Sequence, residues 1–428
     1  MNKKIVVIGG DAAGLSAASK IKREKPEYEV TVFEKKDYIS YSLCSLPYFL
    51  TGEIKDLKDI IHYTPENFSK KRGIDVKTGC TVVNVELPLK EVVYRQGGEV
   101  KRVKYDRLVI ASGAEYIKFN EKTRFFVPTP EDYVEAGKLI REGKIKKSVV
   151  IGGGFAGIET AFELSKKKIK VTLLEAADHI LPGMSEELSH DLRALLEKRD
   201  IEVLEGTRYV EGSGETGKVK TSGGTIDADT IFFCLGVKPN TDFIDIKKEK
   251  NGAIITNSMG ETEIDSVYAG GDCATYISNI DNKKVYYPIG TYANRIGRVI
   301  GNKIAQQLET GFKINETQLL KLDGFEGGRA GRIDERDLKV KIDFKNAPTI
   351  SGNDGKMHTI LCCAHEGILK GGEVWGSGDA ARRVNLISSY IGRPVKDLYK
   401  ADIPYTPKIS SVWDGVTIAA NELLKNLK

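Results

Sequence analysis

The hydrophobic pattern in the first two thirds of the chain is typical of strands that are buried on both faces. Residues 4–8 and 148–151 are mainly apolar runs that lead into glycine-rich turns, and a helical pattern follows each turn. A second apolar run follows each helix, at residues 30–33 and 171–174, and ends in an acidic residue. Two such strand–helix–strand units predict an α/β fold with two parallel sheets.

The pattern changes near residue 316. Residues 340–344 alternate between apolar and charged side chains, as in a half-exposed strand, and residues 359–363 are interpreted as another strand. We therefore expect an antiparallel sheet with flanking helices, which makes a third domain of α+β type. Cys362 and Cys363 are neighbours on the second of these strands. Their side chains would point to opposite faces, so we interpret them as ordinary strand residues.

Both glycine-rich turns match the fingerprint of a Rossmann-like dinucleotide-binding domain. Glycine closes the turn, the helix N-terminus faces the pyrophosphate, and the acid at the end of the second strand accepts hydrogen bonds from ribose hydroxyls. The first unit contributes Gly9, Asp11, Ala12, Ala13, Gly14 and Glu34. The second unit contributes Gly152, Gly154, Gly157 and Glu175.

The two units predict two nucleotides: FAD held permanently, and NADH or NADPH as the visiting hydride donor. Glu175 favours an unphosphorylated ribose, and therefore NADH. The first unit departs from the fingerprint, because Asp11 stands where the second glycine belongs. Its side chain is expected to crowd the phosphates, and its charge to repel them.

Further buried strands end in small residues that suit a cofactor site, namely Ser112 with Gly113, Gly236, and Gly271 with Asp272. We expect Asp272 to accept a hydrogen bond from a flavin ribityl hydroxyl, or to cap a helix N-terminus. The spacing of the units indicates nesting. The expected division is an FAD-binding domain of residues 1–115 and 245–315, an inserted NAD-binding domain of residues 116–244, and a third domain of residues 316–428.

Cys44 is the candidate reactive residue. It lies among hydroxyl and aromatic residues shortly after the first unit, and no second cysteine stands two or five positions away. A redox role would therefore need a sulfur partner from outside the chain, or an oxidised sulfur state. The thiolate is the reactive form, so we expect a helix N-terminus or a positive charge to lower its pKa. Taken alone, a free cysteine is more often a core residue.

Composition narrows the class of protein. The 428 residues are 40% hydrophobic and 29% charged, which is ordinary for a globular protein of about three domains. The net charge of +5 comes from dispersed residues and fits anionic small ligands better than nucleic acid. No run is long enough for a membrane span, and no signal peptide is visible. Six scattered cysteines favour a reducing, cytoplasmic setting, and we expect no metal centre.

These residues together carry a resemblance that covers nearly the whole chain. Residues 9–14, 40–48, 111–113, 152–157, 270–272 and 290–298 resemble the motifs of the pyridine nucleotide-disulphide oxidoreductase superfamily. The stretch from Ser40 through Tyr41 and Cys44 to Pro47 and Tyr48 is similar to the single-cysteine branch. That branch contains coenzyme A-disulfide reductase, NADH oxidase and persulfide reductase.

The resemblance implies a homodimer whose third domain is the dimerisation domain. It implies that Cys44 is catalytic and that Tyr405 reaches the cysteine of the partner subunit. Coenzyme A, if it is the substrate thiol, would meet Lys20, Lys22, Arg23 and Ser40. The expected activity is NAD(P)H-dependent reduction of a low-molecular-weight disulfide, polysulfide or persulfide. The alternatives are an NADH oxidase that uses oxygen, and an electron-transfer flavoprotein with a protein acceptor.

Overall fold

The computed structural model describes residues 2–119, 123–212, 217–345, 355–405 and 411–427. Within these ranges the chain forms two five-stranded parallel sheets, one five-stranded antiparallel sheet and several sheets of two or three strands. None of the helices described there has both the length and the apolar character to cross a membrane.

The first glycine turn lies at the end of a parallel sheet that is buried on both faces. Ile5 and Val7 face a pair of helices, whereas Val6 and Ile8 face a three-stranded antiparallel sheet. Burial on both faces explains why the strand is a continuous apolar run. In spatial order the sheet contains Val267–Ala269, Arg107–Ile110, Lys4–Ile8, Glu29–Phe33 and Asp75–Lys77.

Two helices on this sheet approach each other closely. Ala12–Glu24 packs along Gly290–Ile304, and the contact needs a glycine. A Cβ atom on Gly297 would lie 2.3 Å from the carbonyl oxygen of Ala13. The second helix therefore sits directly on the first turn of the helix that follows the glycine loop.

The second parallel sheet belongs to the segment between the strands Arg107–Ile110 and Val267–Ala269, as the nested arrangement predicts. The chain enters and leaves this segment through an antiparallel pair of strands, Ala114–Tyr116 and Val237–Pro239. The domain limits at residues 115, 244 and 315 stay a prediction. In spatial order the sheet contains Phe125–Phe126, Thr230–Phe233, Lys147–Ile151, Lys170–Leu174 and Ile201–Leu204, with helices Pro130–Arg141, Phe155–Ser165 and Glu186–Glu197.

The last part of the chain forms the antiparallel sheet that the alternating pattern predicts. Cys362 and Cys363 are both buried in it, next to a β-bulge. Helices Ala380–Tyr390, Val395–Tyr399 and Gly415–Asn426 cover one face. In spatial order the strands are Gln318–Leu322, Phe325–Gly331, Leu369–Gly376, Lys356–Cys363 and Leu338–Lys345.

The other face of the antiparallel sheet docks on the second unit. Ser185, which caps helix Glu186–Glu197, donates from its backbone nitrogen to Glu373 at 3.1 Å and also from its hydroxyl. Trp375 Nε1 donates to Asp191 Oδ2 at 2.8 Å. Leu320 and Leu322 of the sheet share one hydrophobic cluster with the second unit and with residues that follow Cys44. The three parts of the chain therefore meet around Cys44.

Short elements complete the chain. The remaining helical elements are Leu43–Ser45, Pro47–Thr51, Leu57–Ile60, Pro65–Arg72 and Leu87–Leu89. The remaining strands are Ile39–Tyr41, Ile61–Tyr63, Cys80–Glu86, Glu91–Gln96, Glu99–Lys104, Tyr209–Gly212, Lys218–Thr221, Gly224–Asp227, Tyr276–Ser278, Lys284–Val285 and Lys313–Ile314.

Candidate functional site

The first glycine turn is closed against the neighbouring strand. Gly9 has a φ of +110°, and a Cβ atom there would lie 2.0 Å from the carbonyl oxygen of Ala111. A Cβ atom on Gly14 would lie 2.0 Å from the carbonyl oxygen of Gly9. Only glycine fits both places, and the closed turn puts Ala12 and Ala13 in the first turn of the helix.

The acids at the ends of the second strands hold the two turns in the same way. Glu34 accepts from the N–H of Gly10 at 2.7 Å and from the N–H of Lys36 at 2.9 Å. Glu175 accepts from the N–H of Gly153 at 2.7 Å and from the N–H of Ala177 at 2.8 Å. The two units therefore have matching geometry, and each places a carboxylate beside its glycine turn.

The second turn leaves room for phosphates. A Cβ atom on Gly154 would find nothing within 4 Å, whereas one on Gly157 would lie 1.8 Å from the carbonyl oxygen of Gly152. Gly236, at the end of the neighbouring strand Thr230–Phe233, has a φ of +84° and the same open surroundings. An open cradle beside Glu175 fits a nicotinamide dinucleotide.

Asp272, together with the closed glycine turn at residues 9–14, indicates a flavin site. Its Oδ1 is buried and has no hydrogen-bond partner, and burial raises its pKa to about 6. A Cβ atom on Gly271 would lie 3.1 Å from the Cβ of Ala13. The residue before Asp272 therefore lies against the first turn of helix Ala12–Glu24. A buried acceptor without a donor fits a ribityl hydroxyl. The helix-cap alternative for Asp272 is wrong, because the next helix begins at Gly290.

Ser112 and Gly113 lie where the chain crosses between the two units. The hydroxyl of Ser112 donates to the carbonyl oxygen of Asn240 at 2.6 Å, and the N–H of Asn240 donates to the carbonyl oxygen of Gly113 at 3.0 Å. Gly113 has a φ of +67°. Ser112 was predicted as a cofactor ligand. In the structure its hydroxyl donates its hydrogen to Asn240 and so joins the two chain segments that connect the units.

Cys44 lies exposed in a narrow cleft between the three parts of the chain. It occupies a single helical turn, Leu43–Ser45, which precedes helix Pro47–Thr51. The first unit provides Cys44, Pro47 and Tyr48 to the cleft, and the helix of the second glycine turn provides Glu159 and Glu163. The edge strand of the antiparallel sheet provides Lys321 and Leu322. The thiol of Cys44 is thus placed where both dinucleotide units meet.

The electrostatics of this cleft contradict one expectation. Desolvation raises the pKa of the Cys44 thiol, and the negative charges of Glu159, Asp272 and Asp11 raise it further. Lys321 lines the same cleft, but it forms an ion pair with Glu326 at 2.8 Å. The prediction that the fold of this chain lowers the pKa of Cys44 is therefore wrong, since acids and not cations surround the thiol.

Glu159 is a residue of the cleft that was not predicted from the sequence. This residue lies on helix Phe155–Ser165, and its pKa is raised to about 7, first by burial and then by the charge of Glu163. Its position two residues after Gly157 was an available signal, because that spacing fixes it to the first turns of the helix. No comparable signal existed for Lys321, which comes from a distant part of the chain.

The residues expected to bind coenzyme A or to reach the partner subunit differ in whether their polar groups are already paired within the chain. Lys20 pairs with Glu24 at 2.6 Å, and Arg23 is exposed at the end of the same helix. Lys22 donates to the carbonyl oxygens of Pro26 at 2.7 Å and Tyr28 at 2.8 Å, so its ammonium is used within its own unit. The N–H of Ser40 donates to the carbonyl oxygen of Gly10 at 3.1 Å. Tyr405, the residue expected to reach the partner subunit, is 50% exposed.

Comparison with known proteins gives consistent matches. The family model described as pyridine nucleotide-disulphide oxidoreductase matches residues 3–287. The NAD(P)H coenzyme A polysulfide/persulfide reductase of Pyrococcus horikoshii is 31% identical, with 99% of each chain covered. The NADH oxidase of Methanocaldococcus jannaschii is 30% identical, again with 99% of each chain covered. The crystal structure of reduced Bacillus anthracis CoADR-RHD matches with a TM-score of 0.96 at 24% identity, over 100% of this chain and 81% of that one.

Proposed function

Because the chain belongs to the pyridine nucleotide-disulphide oxidoreductase family, we propose that it uses FAD and NADH to reduce a low-molecular-weight disulfide, polysulfide or persulfide at Cys44. The observation that carries this proposal is the position of Cys44. Its exposed thiol lies in the cleft where the two dinucleotide units meet. The relative from Pyrococcus horikoshii, named as a coenzyme A polysulfide/persulfide reductase, supports the same chemistry.

The two turns divide the cofactors between them. The residues that would hold FAD are Gly9, Asp11, Ala12, Ala13, Gly14, Glu34, Gly113, Gly271 and Asp272. Those that would hold NADH are Gly152, Gly154, Gly157, Glu175 and Gly236. When bound, FAD would accept a hydride from NADH and pass two electrons to sulfur.

Cys44 would carry out the sulfur chemistry. Its thiolate attacks one sulfur of the substrate RS–SR′, so that a Cys44–SR disulfide forms, the substrate S–S bond breaks, and R′S⁻ leaves. Two electrons then cleave the Cys44–SR disulfide, which restores the Cys44 thiolate and releases RS⁻. Each thiolate product takes up one proton. Glu159 lies in the same cleft with a pKa of about 7, which suits it to exchange such a proton.

The assembly and the thiol belong to the same proposal. We expect a cytoplasmic homodimer, in which Tyr405 of one subunit reaches Cys44 of the other and holds the leaving sulfur. Coenzyme A would meet Lys20, Arg23 and Ser40 on the first unit. Exposed Arg23 supports this, because guanidinium groups bind phosphate oxygens well. The paired ammonium of Lys22 makes it the weakest member of the predicted set.

A second candidate function is NADH oxidation by oxygen. The relative from Methanocaldococcus jannaschii, which is 30% identical, carries that name. Oxygen uptake in stoichiometric amount with NADH, at high catalytic efficiency, would favour it over disulfide reduction. The alternative with a protein acceptor predicts that Cys44 is dispensable. A variant without the Cys44 thiol therefore distinguishes that alternative from the proposed disulfide reduction.

The test is a Cys44→Ser variant. We expect it to keep its bound flavin and to lose NADH-dependent disulfide reduction to the background rate, because serine cannot form the mixed disulfide. Ser45→Ala is the matched control, since it changes the neighbouring residue of the same turn and should keep turnover. Disulfide turnover that survives in Cys44→Ser would refute the mechanism.

The intact mass of the protein, denatured without reductant, identifies the thiol. An adduct on Cys44 that is lost on reduction would identify R, coenzyme A included. A gain of oxygen on Cys44 would favour the oxidase.

A further inference from the structure

Asp11 breaks the correspondence between the two dinucleotide turns. The equivalent position in the second unit is Gly154, where a Cβ atom would enter open space. Asp11 has extended backbone angles there, φ −122° and ψ −156°, and its side chain does not cap the helix that follows. A carboxyl group therefore occupies the part of the first turn that the second turn leaves free for phosphates.

The surroundings of Asp11 are acidic. The charge of Glu34, at the end of the strand Glu29–Phe33, raises its pKa, and the charge of Asp272, in the loop after the strand Val267–Ala269, adds a smaller contribution. Backbone N–H groups of Tyr41 and Ala12 bond to its carboxyl, and no cation is among its strongest interactions. Glu34 already accepts two backbone hydrogen bonds, so it cannot turn away. The pyrophosphate of FAD would add further negative charge to this group of carboxyls.

We propose that Asp11 takes up one proton when FAD binds and meets the pyrophosphate as a neutral hydrogen-bond donor. The proton comes from solvent and resides on the carboxyl group of Asp11. Burial raises the pKa of Asp11 to about 7, with further contributions from the charges of Glu34 and Asp272. A nearby phosphate acts in the same direction, because a like charge disfavours the ionised carboxylate.

Protonation of Asp11 would also affect the reactive thiol. Tyr41, whose N–H bonds to Asp11, lies three positions before Cys44, and the charge of Asp11 is one cause of the raised pKa of that thiol. A neutral Asp11 removes this contribution. Flavin loading would therefore ease the ionisation of Cys44.

The inference rests on the proposed flavin site, and pH-dependent release of FAD from the purified holoenzyme tests it. Fluorescence of released FAD is followed between about pH 6 and pH 9 in the wild type, Asp11→Asn and Asp11→Gly. Linkage predicts that the dissociation constant of the wild type rises with pH, by up to tenfold per pH unit, between the pKa of Asp11 in the free protein, about 7, and its higher pKa in the holoenzyme. Asparagine donates a hydrogen bond without titrating, so Asp11→Asn should hold FAD with no such slope. Asp11→Gly should also lose the slope.

Several outcomes would overturn the inference. A wild type with a flat profile, an Asp11→Asn variant with the wild-type slope, or an Asp11→Asn variant that loses FAD at every pH would each do so. Glu27→Gln, an exposed acid at a distance from the turn, is the control and should keep the wild-type slope.

If Asp11→Asn does not fold, rebinding of FAD to the wild type in weak buffer at about pH 8 still decides the question, because Asp11 is mostly ionised in the free protein at that pH and nearly one proton should be absorbed per FAD. No proton uptake would overturn the inference. A purified protein without FAD would instead refute the proposed function, so the two failures are distinguishable.

Discussion

At the scale of single residues, the cleft around Cys44 contains more acid than base. Glu159 and Glu163 face it from one helix, while Lys321 is already paired with Glu326. The proposed attack on sulfur requires Cys44 to lose a proton, and the acidic neighbours oppose this because they raise the pKa of its thiol. After desolvation, the charge of Glu159 is the largest cause of the raised pKa of Cys44, so the ionisation of the thiol is coupled to that carboxylate.

This coupling predicts that Glu159→Gln lowers the pKa of Cys44. Glu159 has a pKa of about 7, so it is increasingly charged above that pH, and its charge then disfavours the thiolate. Removing the charge should move the midpoint of Cys44 alkylation by iodoacetamide to lower pH and speed alkylation at pH values just above 7. Glu163→Gln is the control. It removes a charge that raises the pKa of Glu159, so Glu159 stays ionised and the midpoint of Cys44 alkylation should not move to lower pH. An unchanged midpoint in Glu159→Gln would contradict the coupling.

At the scale of elements, the two strand–helix–strand units could be predicted because their hydrophobic pattern occurs twice along the chain. Residues 4–8 and 107–110 were recognised as strands because both of their faces are buried. The first helix begins at Ala12 rather than near Leu15, because the fingerprint residues that follow Asp11 already form its first turn. The contribution of Lys321 to the cleft could not be predicted, since it depends on how the antiparallel sheet docks. The raised pKa of Cys44 was missed because it depends on burial and on acids that the fold brings together from distant parts of the chain, namely Glu159, Asp272 and Asp11.

The contact between the helices Ala12–Glu24 and Gly290–Ile304 gives a prediction at this scale. Gly297→Val should destabilise the protein by roughly 1–3 kcal/mol, because the new Cβ would lie 2.3 Å from a backbone oxygen of Ala13 and the helices must separate. Urea denaturation measures the loss, and weakened retention of flavin should accompany it. Gly290→Ala on the same helix is the control, since nothing lies within 4 Å of its Cβ position. Equal stability of both variants would show that the contact is not tight.

At the scale of the whole molecule, a buried carboxylate ties the antiparallel sheet to the second unit. Glu373 is 0% exposed and accepts hydrogen bonds from the backbone and hydroxyl of Ser185. Burial is the main cause that raises its pKa. The same docking brings Lys321 and Leu322 to the cleft, so the position of the sheet affects access to Cys44.

Glu373→Ala should therefore cost roughly 1–3 kcal/mol, because it leaves the buried N–H and hydroxyl of Ser185 without an acceptor. Thermal denaturation of the full chain measures the change. Glu366→Ala, an exposed acid in the turn between strands Lys356–Cys363 and Leu369–Gly376 of the same sheet, is the control and should stay within about 0.5 kcal/mol of the wild type. A Glu373→Ala variant as stable as this control would mean that the docking does not depend on the carboxylate.

The paired strands Ala114–Tyr116 and Val237–Pro239 place the two ends of the second unit side by side. A segment whose ends are adjacent can be excised and its flanks rejoined by a tight turn, as in tolerated domain insertions. In engineering terms, the nicotinamide-reading part of this enzyme is an exchangeable module. A graft from a relative with the opposite coenzyme preference would need surface complementarity at Glu373 and its neighbours and at helix Pro47–Thr51, whose Phe49 and Leu50 pack on the second unit. The choice of electron donor can thus be redesigned, or can diverge in evolution, while the sulfur chemistry stays the same.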